Sequence, residues 1–163
     1  DSVQTEGVRN VPLSQIKSTF PVLSNPANRH RAVAFTPEQF HYAFTNTMSA
    51  EDSQIAYDRY AIAAPGSWVW GGILANFTPG HQETWVDYTN AKRAPLLFIS
   101  GGKDHIMPAS VNASNAKKYS AAGTRTEVEE FPDRSHFTVG APGWEAVADF
   151  ALEWAATHAV SPR

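Results

Sequence analysis

Residues 94–108 read APLLFISGGKDHIMP: an apolar run, Leu96 to Ser100, breaks at Gly101-Gly102 and presents Asp104 at once. An unalternated apolar run bounded by Pro95 and two glycines fits a strand of a parallel sheet, covered on both faces. The glycines allow a sharp turn where a side chain would obstruct it. In an open α/β sheet, ligands gather beyond the carboxyl ends of the strands, so Asp104 stands where chemistry is done. The plainer alternative is an aspartate serving its own turn.

Working outward, a second strand with its own terminal loop follows. Thr126 to Phe131 alternates polar and apolar residues, as a strand with one wet face does, and its three glutamates suit an edge. The loop after it, FPDRSHF over residues 131–137, brings up His136, thirty-two positions after Asp104. Between them, Ala109 to Ala122 reads as a helix stopped by Gly123, and a last helix opens at Pro142-Gly143-Trp144-Glu145. Strand, Asp, helix, strand, His, helix is the second half of the Ser, Asp, His chain order used by one large group of enzymes.

On those residues, PLLFISGGKDHIMP with SHF downstream, the chain resembles the C-terminal half of an α/β-hydrolase. The resemblance implies a fold class: α/β, a partial hydrolase sheet of the last strands and helices, with an inserted helical lid and the N-terminal half absent. By the same resemblance, residues 1–12 are the exit of a lost strand, 13–93 the lid and 94–163 the C-terminal part of the core. It further implies that Asp104 is the acid that orients His136, and that His136 is the general base of a Ser-His-Asp triad. Ile106, Met107 and Phe137, with Phe40, Phe44 and Trp68 from the lid, are expected to line an apolar pocket. The reaction implied is esterase-like hydrolysis of a small ester or related carbonyl compound, without cofactor or metal. An aspartate nucleophile in the same fold would give dehalogenase or epoxide-hydrolase chemistry instead.

The nucleophile itself is missing from the sequence. There is no G-x-S-x-G and no cysteine, so the expected partner is an N-terminal half that carries the nucleophile, and the chain alone is expected to be inactive. A rival reading from another class is a binding module whose open sheet associates, for instance as a homo-oligomer. Ser135 is a poor nucleophile, since adjacent side chains on an extended loop point apart. Asp133, Asp87 and His105 are weaker rivals for the acid and base.

The helix-rich stretch has its own signals. Thr36-Pro37-Glu38-Gln39 combines an N-cap, a first-position proline and a capping-box glutamine, predicting a helix from Pro37 to about Met48 with His41 exposed. Ser49-Ala50-Glu51-Asp52 predicts a second helix, to about Tyr60, and Ala63-Ala64-Pro65-Gly66 a stop. Ser67 is the expected cap of a third helix, Trp68 to about Phe77. Pro12 to Ser18 opens a short helix expected to end at Pro21. Arg29 and Arg31 are candidates to attract a substrate carboxylate near the pocket mouth. His81 sits in a turn, with no second ligand at a metal spacing.

Composition bounds the rest. A hydrophobic share of 42% against 18% charged residues describes an ordered globular chain, and 163 residues suffice for one domain with a core. A net charge of -3 gives no footprint for nucleic acid or an anionic membrane. No run reaches the roughly 18 apolar residues of a membrane span. The lack of cysteine accords with a reducing, cytoplasmic setting.

Overall fold

The computed structural model describes residues 3–80, 82, 84–119 and 123–159; His81 lies outside these. Among them the chain is mixed α/β, with six α-helices and two two-stranded sheets. The strand that opens the sequence reading is β3 (Leu96–Gly101). It runs parallel to β4 (Thr126–Phe131), in a register that sets Leu96 opposite Thr126 and Gly101 opposite Phe131. Parallel strands need a crossover, and α5 (Ala109–Tyr119) supplies it. Val111, Asn112, Asn115 and Ala116 form its buried side.

The sixth helix, α6 (Trp144–His158), starts behind Gly143, whose φ of 76° is left-handed backbone that favours glycine. It meets β4 through the Phe131 and Phe150 rings, 5.8 Å apart and edge to face. Trp154 Nε1 donates to Glu127, and that bond, aided by Arg125, holds the Glu127 carboxyl below its ordinary value. His158 ends this helix with Nδ1 2.7 Å from the Trp154 carbonyl oxygen. The expectation that β3 is covered on both faces fails in part. Phe98, Ser100 and Gly101 are buried, but its other residues are only half-buried, and its second edge pairs with no strand among the described residues.

Residues 13–93 carry the remaining elements. α1 (Leu13–Leu23) runs past Pro21, where an end was expected. Proline removes only its own N–H bond, and the Asn28 side-chain amide donates to the carbonyls of Pro21 and Val22, each at 3.2 Å, so the last turn is held from outside. A 3₁₀ turn over Pro26–His30 follows. β1 (Ala32–Val33) and β2 (Ala64–Pro65) then form an antiparallel bridge that no sequence pattern announced.

α2 (Pro37–Ala43) has the predicted capping box: Gln39 N–H donates to Thr36 Oγ1 and Thr36 N–H to Gln39 Oε1. It stops about a turn and a half before Met48, because Phe44 and Thr45 are claimed elsewhere. The Phe44 carbonyl accepts the Phe137 N–H at 2.9 Å, and Thr45 Oγ1 lies 2.6 Å from Ser53 Oγ. α3 (Ala50–Tyr60) starts on its Ser49 cap as predicted. α4 (Gly66–Ala75) begins at Gly66, without a side-chain cap, rather than behind Ser67. The Gly66 N–H donates to the Arg31 carbonyl, and a Cβ at Gly66 would lie 2.1 Å from the Asn28 oxygen. The residue read as a stop is therefore the only type that fits this start. His41, expected exposed, is half-buried.

Of the segment 1–12, expected to be the exit of a strand, the described residues 3–12 form no strand. Instead a buried set of amides holds them. Asn115 Nδ2 donates to the Val3 carbonyl at 2.8 Å, and its Oδ1 accepts from Thr5 N–H and Oγ1. Asn76 Nδ2 donates to the Thr5 carbonyl and its Oδ1 accepts the Gly7 N–H, while Gln4 donates to Gln15 at 2.5 Å. α1, α4 and α5 are thus tied through one short segment, whose backbone groups find side-chain partners in place of a ladder.

Candidate acid and base at two strand ends

Asp104 and His136 meet where β3 and β4 end. His136 Nδ1 lies 2.8 Å from Asp104 Oδ2, with the carboxylate side chain 0% and the imidazole 24% exposed. The other carboxylate oxygen, Oδ1, accepts the backbone N–H groups of Ile106 and Met107, both at 2.8 Å. Asp104 is therefore both turn residue and partner of the histidine, one oxygen for each. A carboxylate only accepts, so Nδ1 carries the proton. With Nδ1 engaged, base chemistry falls to Nε2, on the opposite edge of the ring.

Backbone contact between the loops contributes to this separation. The Lys103 N–H donates to the Arg134 carbonyl at 2.9 Å and the Gly102 N–H to the Phe131 carbonyl at 2.9 Å, which joins the two loops directly. A Cβ at Gly101 would lie 2.5 Å from the Arg134 oxygen, and one at Gly102 2.6 Å from the Pro132 oxygen. Neither glycine has a positive φ. They are required by the approach of the second loop and not by the turn.

His136 also stands on the wall of a cavity of about 490 Å³. Phe40, Phe44, Ile106 and Phe137 line it, as named from the sequence; Met107 and Trp68 do not. The Met107 sulfur faces the Gln15 amide at 3.6 Å, and Trp68 is 79% exposed while its neighbour Val69 takes the wall position. One register step along α4 separates the two. Further walls come from Val22 of α1, Val33 of β1, Phe35 just after it, Tyr60 at the end of α3 and Ile62 beyond it. They were missed because the β1–β2 bridge, which gathers them, is two residues long. Among the described residues, Ser18, Thr19, Tyr60 and His136 are the polar side chains of the wall, and none of its residues is a carboxylate, lysine or arginine. Arg29 and Arg31 are not cavity residues.

The rival groups have plainer places. Asp133 is 88% exposed and pairs with Lys103 Nζ at 2.8 Å, which holds its carboxyl below the usual value. Asp87 accepts from Thr89 N–H and Oγ1 within its own turn. Ser135, beside the histidine in sequence, is fully buried. Among the described residues no group of three His, Cys, Asp or Glu side chains could hold a metal ion, and no helix is long and apolar enough to cross a membrane. Comparison with protein-family models, with curated proteins and with solved structures finds no match to this chain.

Proposed function

We propose that the chain supplies the acid, the base and the apolar wall of an α/β-hydrolase that cleaves neutral esters or related carbonyl compounds. One observation carries this reading: a buried carboxylate holds Nδ1 of an imidazole at 2.8 Å, and that imidazole forms part of an apolar cavity. A carboxylate so placed fixes the tautomer of the base and stabilises the imidazolium formed when the base takes a proton. His136 Nε2 would remove the proton of a serine hydroxyl as that oxygen attacks the carbonyl carbon, then return it to the leaving oxygen. The serine comes from polypeptide other than the residues described, paired along the second edge of β3. Residues 13–93 act as the lid and 94–163 as part of the core.

The wall chemistry narrows the substrate. A cavity of about 490 Å³ with no cationic side chain among its described residues favours an uncharged acyl or alkyl group over a carboxylate, whose burial without a partner is costly. The test compares phenyl hexanoate with monophenyl adipate, which replaces the terminal methyl by a carboxylate. The native gene product, isolated from its source, is expected to hydrolyse the neutral ester at least about tenfold faster, the ratio for about 1.4 kcal/mol. The separate chain is expected to hydrolyse neither. Turnover by the separate chain that resists serine-directed phosphonates would contradict the scheme.

A second reading, an association module, draws on the same open sheet and on Leu13, Ile16 and Phe20, which are exposed at helical spacing along α1. Sedimentation separates the two. A stable homodimer of the chain, with no hydrolysis by the native product, would favour association.

A further inference from the structure

The residues that end α2 reach both loops of the acid–base pair. Tyr42, Phe44 and Asn46, alternate along the chain, each make one bond. The Tyr42 carbonyl lies 2.7 Å from His105 Nδ1, and the Asn46 side-chain amide donates to the Lys103 carbonyl at 3.0 Å. The Phe44 carbonyl accepts the Phe137 N–H at 2.9 Å. Lys103 and His105 flank Asp104, and Phe137 follows His136, so one short segment grips the acid loop from both sides and the base loop from one.

Ring contacts follow the same pattern. The Tyr42 ring stacks on His105 with centroids 4.3 Å apart, and the Phe44 ring stands edge-on to His136 at 5.3 Å. Lys17 Nζ lies 4.0 Å from the Tyr42 centroid. From α1, Ser18 Oγ donates to the His105 carbonyl at 3.1 Å, holding that residue a second time. A carbonyl oxygen only accepts, so His105 Nδ1 carries the proton in the neutral ring and equally in the charged one. The bond to Tyr42 therefore holds at either charge of His105.

We infer that His105 and Asn46 are positioning residues: through them the helical segment sets the distance between Asp104 and His136. The inference rests on the reading of that pair as acid and base. Phe40 and Phe44 wall the cavity while residues 42–46 hold the pair, so one stretch of chain serves the ligand and the base together. This also accounts for the early end of α2, since carrying the helix to Met48 would withdraw the Phe44 carbonyl from the base loop. His105, a rival catalytic group in the sequence, acts here through Asp104 without touching substrate.

The experiment is proton exchange in the chain itself, followed by NMR. The Nδ1 proton of His136 is assigned by its loss in His136→Gln, and its exchange with water is compared with that of the Phe98 amide in the middle of β3. Asn46→Ala and His105→Ala are each expected to speed Nδ1 exchange about tenfold, the effect of one lost hydrogen bond of about 1.4 kcal/mol, while Phe98 stays protected. His105→Asn, whose amide nitrogen lies where Nδ1 stood and can donate to the same carbonyl, is expected to recover most of the slow exchange. Unchanged Nδ1 exchange in Asn46→Ala overturns the inference, and so does acceleration shared equally by Phe98, which marks general loosening. Should His105→Ala unfold, Asn46→Ala decides, since it removes a single hydrogen bond from a half-buried side chain. The readout needs no turnover. A positive result beside a native product that hydrolyses nothing would sink the functional reading alone, and hydrolysis with indifferent exchange would sink the clamp alone.

Discussion

Asp104→Ala is expected to lower the stability of the chain by about 3–5 kcal/mol, the scale for leaving several part-buried donors without an acceptor at about 1–3 kcal/mol each. The reason is the number of donors left behind. Oδ1 serves two backbone N–H groups and Oδ2 serves His136, and the aspartate side chain is 0% exposed, so three N–H groups would lose their acceptor. Asp104→Asn separates the roles. Its carbonyl oxygen can still serve Ile106 and Met107, but its NH₂ would meet the Nδ1 proton of His136, so a smaller loss of about 1–2 kcal/mol is expected. Urea unfolding of both variants measures the difference. Equal stability of wild type and Asp104→Ala would mean that Asp104 does not organise the loop.

Gly101→Ala is expected to cost about 2–3 kcal/mol, near the upper end for forcing a methyl into a packed site. The added carbon would lie 2.5 Å from one carbonyl oxygen and 2.9 Å from the next, those of Arg134 and Ser135. Both belong to backbone and cannot swing aside as a flexible side chain would. The loop that follows β4 must then move away from β3, carrying His136 with it. A comparison variant is Gly72→Ala within α4, where an added carbon meets nothing within 4 Å and replacement favours the helix by roughly 1 kcal/mol. Thermal melts of the two should shift in opposite directions. A Gly101→Ala melt equal to wild type would show that the loops do not approach as described.

These two positions also show what a sequence can disclose. Asp104 and His136 were legible because each follows a short apolar or alternating run, and such runs place their next loop at one end of a parallel sheet. Gly101-Gly102 was legible as a break, but its reason was not. The turn has ordinary φ values, and the need for glycine comes from residues some thirty positions onward, which no local pattern contains. Helix starts with side-chain caps, Thr36 and Ser49, were readable because their chemistry is local. Helix ends were not. α2 stops for Phe137 and Thr45 bonds Ser53, while α1 continues past Pro21 on account of Asn28, all of them tertiary contacts.

The buried amides lay further from reach. Gln15, Asn76 and Asn115 look like surface residues by type, yet they are 2%, 4% and 0% exposed because they satisfy a segment that has no strand partner. The cavity was half legible. Phe40 and Phe44 share one helical face and were named, whereas Val33 and Ile62 come together only through the two-residue bridge. Trp68 misled because it stands in a run of aromatic residues that suggested a covering apolar surface; its neighbour Val69 holds the wall.

The most direct measurement is kcat/KM of the native gene product on phenyl hexanoate, wild type against His136→Ala, with folding checked by circular dichroism. A base that takes the nucleophile's proton predicts a loss of at least about a thousandfold, in the range general-base removal produces. A folded His136→Ala product that hydrolyses the ester at the wild-type rate would contradict the assignment of Asp104 and His136 as acid and base.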